Sequence, residues 1–281
     1  MRIGINMMLW TGAVERADVP HLTELRRLGY DAVEIPLLND EALRRSAWLA
    51  PVLDELGLDR STSTAMPPGA SLLREAEVEQ GMRWLRACID ATAALGARVL
   101  CGPVYHQVGQ FSGGRPTAAE WASCVRALRA VGEYAAGAGV TVAVEPLNRF
   151  ETYFLNTVEQ GARLVEAVGS PHVRLLLDTF HMNVEEDDLP AAIRRARACV
   201  GHVHLSENHR GSVGAGHIPW RAVIAALREI GYEGLAVVES FSSRLEELAR
   251  ATCIWRDLAP SEEALAGDSL RYLRELLANA S

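Results

Sequence analysis

No apolar run in this chain of 281 residues approaches the ~18 that a transmembrane helix needs. Positive charge is in deficit, with Lys plus Arg at 28 against 36 Asp plus Glu, a net charge of −8. That balance argues against nucleic acid or an anionic membrane as a partner. Cysteine is sparse: Cys88, Cys101, Cys124, Cys199 and Cys253 are odd in number and lack CxxC spacing. A disulfide framework or a cysteine zinc site is therefore not expected, and reduced cytoplasmic thiols are. The opening stretch MRIGINMMLWTG has one basic residue and no small-residue cleavage site, so it reads as a strand rather than a secretory signal. No Pro/Gly/Ser linker or shift of composition divides the chain, and one domain over 1–281 is expected.

What is present is an alternation of apolar strands and amphipathic helices. The clearest stretch is VTVAVEPLNRFE at 140–151, where an apolar run broken only by Thr141 ends on Glu145 and Pro146 then stops the ladder. A buried parallel strand that ends on a carboxylate sets a charge at the rim of a core. There it needs a metal, a cation or a proton. The same ending recurs: 173–177 runs into Asp178, 200–203 into His204 and 235–238 into Glu239. Strands at 2–7, 31–35, 58–62 and 97–101 precede these four. Helical periods fall at 20–28, 41–56, 71–95, 118–136, 156–168, 189–199 and 219–230. Further helical stretches lie at 244–254 and 261–278, the second an extra C-terminal helix. Crossovers of this length suit parallel pairs, and the count predicts an α/β fold, a single (β/α)8 TIM barrel. A doubly wound sheet is the rival. Closure is preferred because only a barrel brings four strand ends round one centre. The Gly- and Pro-bearing stretches 67–70, 112–116 and 211–216 all follow strands, which puts them at the C-terminal mouth.

Glu145, Asp178, His204 and Glu239 are each about one βα unit apart, so a closed barrel gathers them. Three carboxylates with one imidazole form a hard, oxygen-rich donor set. It suits Mn²⁺, with Co²⁺ or Mg²⁺ as alternatives, better than a structural zinc cage. Three acidic groups exceed a divalent ion by one charge, and Arg210, shortly after His204, is placed to balance it. One acidic residue at a strand end is ordinarily a cap or an ion-pair partner; four at repeat spacing ask for more.

Four motifs in order then carry a resemblance: EPLNRFE at 145–151, LDTFHMNVEE at 177–186, GHVHLSENHRG at 201–211 and VVESFSS at 237–243. They resemble the ketose 3-epimerases, the D-tagatose/D-allulose 3-epimerase group within the xylose-isomerase-like barrels. The resemblance runs through most of the chain and is densest from Val140 to Trp255. It implies a metal-dependent barrel that inverts C3 of a free ketose through a cis-enediolate. The candidate pairs are D-allulose/D-fructose, D-tagatose/D-sorbose and L-ribulose/L-xylulose. By resemblance Glu145, Asp178, His204 and Glu239 bind the metal, and Glu145 and Glu239 exchange the roles of base and acid. Glu151, His181 and Arg210 match residues that hold the substrate's C1–C3 end. Strand-one residues line the C4–C6 end in that group. Here Asn6 stands where some members carry an aromatic, and Asn6, Trp10 and Met66 are the candidates for that end. The resemblance also implies a homodimer or homotetramer.

Other residues are set aside. His202 and His209 are placed outside the site, on the reading that His202 alternates away from His204; His217 and Trp220 are read as structural. Glu34, ending the second strand, has no ligand role by resemblance and is read as a hydrogen-bonding support, with a role behind the metal ligands as the alternative. The loop GSVGAG at 211–216 precedes a helix but contains no lysine, and Pro219 removes an amide donor, so a phosphate cradle is not expected. The rival functions are an aldose–ketose isomerase such as a hydroxypyruvate isomerase, a DNA-repair endonuclease of the same fold, and a non-catalytic sugar-binding barrel.

Overall fold

Eight short parallel strands close on one another in sequence order, β1 to β8, with β1 paired to both β2 and β8. They are β1 (Arg2–Asn6), β2 (Ala32–Pro36), β3 (Asp59–Ser63), β4 (Val99–Gly102), β5 (Thr141–Val144), β6 (Val173–Asp178), β7 (Val200–Leu205) and β8 (Leu235–Val238). The structure, a computed structural model, describes residues 1–279. Positions 280 and 281, at the end of the domain span expected above, lie outside the described residues. No helix among the described residues is long and apolar enough to cross a membrane.

Around the strands lie α1 (Val19–Leu28), α2 (Asp40–Arg45), α3 (Leu49–Leu56), α4 (Glu75–Ala94), α5 (Ala118–Ala138), α6 (Val158–Val168), α7 (Thr179–Glu185), α8 (Leu189–Arg195), α9 (Trp220–Glu229), α10 (Glu246–Thr252) and α11 (Glu262–Ala278). Their starts follow local chemistry. Thr117 and Thr157 each form a reciprocal capping box with the residue three on, Glu120 and Gln160. The helix expected over 41–56 is divided by a 3₁₀ turn at Ser46–Trp48. A fresh start at Leu49 puts Pro51 in the first turn of α3, where its missing N–H goes unneeded. The helix expected from 71 begins only at Glu75. Ahead of it the Ser71 hydroxyl accepts from Leu73 N at 3.0 Å, and Leu72 N donates to Tyr105 O at 2.8 Å. The C-terminal α11 buries Leu265, Ala266, Leu270, Leu273 and Leu276 against the barrel, and Tyr30 Oη donates to its Ala266 carbonyl at 2.9 Å.

Two local features align the mouth. Between β6 and β7 the register shifts, Leu175 pairing with Val200 and Leu176 with His202, so that Asp178 comes level with His204. Gly201 sits in the skipped position, and a Cβ there would meet Arg174 Cβ at 2.4 Å. At the end of β4, Gly102 has φ 129°, and a Cβ would lie 2.0 Å from the Thr64 carbonyl oxygen. Its own carbonyl accepts from Glu145 N at 3.0 Å, which fixes where β5 delivers its carboxylate.

Candidate active site and metal centre

Strands β5 to β8 each deliver one group to the mouth. Glu145 and Glu239 follow the last residues of β5 and β8, Asp178 ends β6 and His204 lies on β7. All four are buried, and one ligand atom from each falls within 4.8 Å of the other three. Arg210 lies across the cluster: Nη1 donates to Asp178 Oδ2 at 2.8 Å and to Glu239 Oε2 at 2.7 Å. Its guanidinium is held between the rings of Phe180, at 4.0 Å, and Phe241, at 5.2 Å.

The donor set fits a divalent cation. His204 Nε2 is paired with Glu34 Oε1 at 2.8 Å, while Nδ1 faces the cluster, buried, with no hydrogen-bond partner. Nδ1 lies 3.3 Å from Glu239 Oε1 and 3.8 Å from Asp178 Oδ2. An orphaned imidazole nitrogen among carboxylate oxygens is a ligand in waiting. Electrostatics agree. Burial, and then the Glu239 charge, push the Glu145 carboxyl well above its usual range. Against the desolvation of burial, Glu239 and Glu34 hold the His204 imidazole well above its ordinary value. Both shifts favour taking up a proton, the response of a cluster with surplus negative charge. Asp178 goes the other way: burial opposes, but Arg210 and His204 keep it well below the usual carboxylate range. Its two oxygens divide the work, Oδ1 capping α7 by accepting from Phe180 N at 2.6 Å while Oδ2 faces the cluster.

His181, on α7, stands beside Glu145, with Nε2 3.6 Å from Oε1. Its Nδ1 accepts from the backbone N–H and the side-chain amide of Asn148, both at 3.0 Å. Burial pushes its pKa down to about 4, so at neutral pH the ring carries one proton, and the Asn148 N–H donating to Nδ1 leaves that proton on Nε2, facing the site. Asn148 also donates to Glu151 Oε1 at 2.8 Å, tying the loop after β5 together. A cavity of about 200 Å³ lies over these groups. Glu145, Glu151, His181, His204, Arg210 and Glu239 line its polar end, and Met8, Leu38, Phe241 and Leu248 form an apolar wall. Beside it, sharing Glu151, Phe180 and Arg210, a more open cavity of about 560 Å³ is rimmed by Phe150 and Trp255.

Three residues expected at the far end of the pocket lie elsewhere. Asn6 is beneath the mouth, its Nδ2 donating to Glu34 Oε1 at 2.8 Å and its Oδ1 accepting from Met8 N at 2.9 Å. Trp10 turns outward, stacked on His21, and its indole donates to Glu263 Oε1 at 3.2 Å. Met66 is packed in the hydrophobic core, outside the cavity lining. The chain turns into a 3₁₀ helix at Met7–Leu9, and that turn presents Met8 in place of the strand residue. His202 is a further correction: residues two apart on a strand share a face. His202 and His204 both point inward, and both bond Glu34. The strand-end grammar marked Glu34 and His204, but not His202 or the meeting of all three. Phe180 and Phe241, which hold Arg210, stand inside the motifs LDTFH and VVESF without a signal of their own.

Comparison with known proteins agrees with this geometry. The family model for the xylose isomerase-like TIM barrel matches residues 22–276. An L-ribulose 3-epimerase of Mesorhizobium japonicum is 37% identical over 97% of this chain and 93% of its own length. A ketose 3-epimerase of Arthrobacter globiformis is 33% identical over 99% of this chain and 97% of its own. Among solved structures, a D-allulose 3-epimerase from Methylomonas sp. in complex with D-allulose superposes with TM-score 0.91 at 31% identity, covering 98% of this chain and 96% of that one. The chain belongs to the xylose isomerase-like TIM barrel family, and within it to the ketose 3-epimerases.

Proposed function

We propose that this chain, acting as one domain, is an isomerase that inverts C3 of a free ketose, with Glu145 and Glu239 exchanging a proton with the two faces of that carbon. The observation that carries the reading is the pair of buried carboxylates from β5 and β8 on one cluster, under a cavity of sugar-binding size. The C2 carbonyl acidifies the hydrogen on C3. A carboxylate on one side takes that proton, and a carboxylic acid on the other returns one, so the roles reverse with the direction of reaction. When bound, the divalent cation would supply Lewis-acid stabilisation of the negative charge that develops at C2 and C3. Glu145, Asp178, His204 through Nδ1, and Glu239 are the residues to hold it. Mn²⁺ is our first choice, with Co²⁺ or Mg²⁺ next, since three of the four donors are carboxylates.

His181 Nε2–H and Arg210 Nη2, which lie 3.2 Å apart, are donors for substrate oxygens, and Glu151 is an acceptor for a hydroxyl. The C4–C6 end then lies against Met8, Leu38 and Leu248 rather than Asn6, Trp10 or Met66, a wall that orients by shape more than by hydrogen bonds. None of the 281 residues is lysine, so no side-chain amine is present to form a Schiff base with the ketose carbonyl, and proton exchange at the carboxylates carries the chemistry. The large exposed side chains of Phe150 and Trp255 at the mouth support a homodimer or homotetramer, and the unpaired thiols a cytoplasmic location.

Incubating the enzyme and Mn²⁺ with D-fructose, D-tagatose or L-ribulose, and separating the sugars, tests the reading. Formation of the C3 epimer from at least one supports it. Aldose as the sole product from all three refutes it.

A further inference from the structure

The layer directly beneath the cluster is assigned no role by the reaction above. Glu34, fully buried on β2, accepts on its two oxygens from five neighbours. Oε1 takes His204 Nε2 and Asn6 Nδ2, each at 2.8 Å. Oε2 takes His202 Nε2 at 2.8 Å and Ser61 Oγ at 2.7 Å. Cys101 Sγ is 3.3 Å from the same oxygen. Glu34, Cys101, His202 and His204 could be taken for a second metal site, since their donor atoms also cluster. The hydrogen bonds speak against that: every acceptor direction of the carboxylate is in use. In addition, His202 Nδ1 has no partner to accept the proton that metal binding at Nε2 would transfer to it.

We infer that Glu34 is a positioning residue for metal binding, a carboxylate fixed by five donors that holds a His204 proton on Nε2 and so leaves Nδ1, aimed at the cluster, for the cation. The inference rests on the reading of Glu145, Asp178, His204 and Glu239 as a metal site. Its logic is that of an imidazole whose far nitrogen donates to an anion: the tautomer is set, the ring cannot swing, and the near nitrogen is a better donor to a cation. The brace draws on β1, β2, β3 and β7, so one buried carboxylate links the positions of half the barrel to one ligand atom.

Glu34→Gln tests it. The amide is isosteric, and its nitrogen can turn toward Ser61 Oγ, which accepts, at the expense of the His202 bond. The carbonyl then still faces His204, without the charge. Mn²⁺ titrated calorimetrically into chelator-stripped enzyme should bind about 10–100-fold more weakly than to wild type, the usual loss when such a partner is removed. As a comparison, Val203→Ala on β7 truncates a side chain packed in the hydrophobic core and leaves the Glu34–His204 bond alone. It should lower the melting temperature while Mn²⁺ affinity stays within about threefold of wild type, less than half a decade and well short of the loss above. Unchanged affinity in folded Glu34→Gln, or an equal loss in Val203→Ala, overturns the inference. Should Glu34→Gln fail to fold, ¹⁵N NMR of the wild-type protein loaded with diamagnetic Mg²⁺ decides. The inference requires the His204 proton on Nε2, and a proton on Nδ1 contradicts it. Failure of the wild type to bind Mn²⁺ at all would instead remove the metal site on which both readings stand.

Discussion

Arg210 has φ 61°, a left-handed conformation that a non-glycine residue holds at a cost of roughly 1–3 kcal/mol unless its surroundings enforce it. They do: its N–H donates to Glu207 O at 2.9 Å and its carbonyl accepts from Ser240 Oγ. The strain sets the guanidinium against Asp178 and Glu239, where its charge offsets theirs. In the proposed mechanism Glu145 and Glu239 divide the proton traffic, and each single change should stop it in both directions. Glu145→Gln and Glu239→Gln are expected to fold and to lose at least about 10²-fold in kcat for a ketose and for its C3 epimer, the usual size of an acid–base contribution. A rate within tenfold of wild type in either variant removes that residue from the mechanism. Strand-end acids were legible in the sequence because a charge closing an apolar run is costly without a partner. The layer beneath them was not, since Glu34 meets His202 and His204 only through the closure of β1 to β8, and His202 was assigned to the wrong face.

The stretch from His204 to α9 is held by one buried acid rather than by its glycines. Glu207 accepts from Asn208 N, Gly214 N, Ile218 N and the Trp220 indole at 2.8–3.2 Å. Burial opposes its ionisation, but these donors win and hold its carboxyl below the usual range. A depressed folded-state value contributes stability that is complete above the ordinary glutamate pKa, near ~4.3, and is lost as pH falls through the lower folded value. Glu207→Gln is therefore expected to cost about 1–3 kcal/mol at pH 7 and to flatten the acid limb of a denaturation-versus-pH series. An unchanged acid limb contradicts this. The same bonds answer whether 211–216 cradles phosphate: two amides of the region already serve Glu207. Among the described residues, Arg210 is the single Arg or Lys lining the cavity. D-Fructose should accordingly be turned over with a higher kcat/KM than D-fructose 6-phosphate; the reverse order would point to a cation elsewhere. At this scale the strands and most helix starts were readable, those of α5 and α8 to the residue, while the starts of α3, α4 and α7 were not. Pro51, the Ser71 hydroxyl and the Asp178 cap act through local bonds that periodicity does not report.

The molecule as a whole converts closure into chemistry. Four candidate ligands spread along the second half of the chain meet because β5 to β8 are neighbours, and Glu34 reaches them because β1 and β8 pair. Binding of a cation by the folded chain alone stabilises it by mass action. Exhaustive chelation is expected to lower the melting temperature and abolish turnover, and Mn²⁺ to restore both. Full activity in protein shown to be metal-free would contradict the metal site. The central claim, however, is which hydrogen moves. When the reaction is run in D₂O and the product analysed by NMR, deuterium should enter at C3 and stay at background at C1. Label at C1 instead would mean that hydrogen moves between C1 and C2, the reaction of an aldose–ketose isomerase, and would contradict the assignment of Glu145 and Glu239 to the two faces of C3.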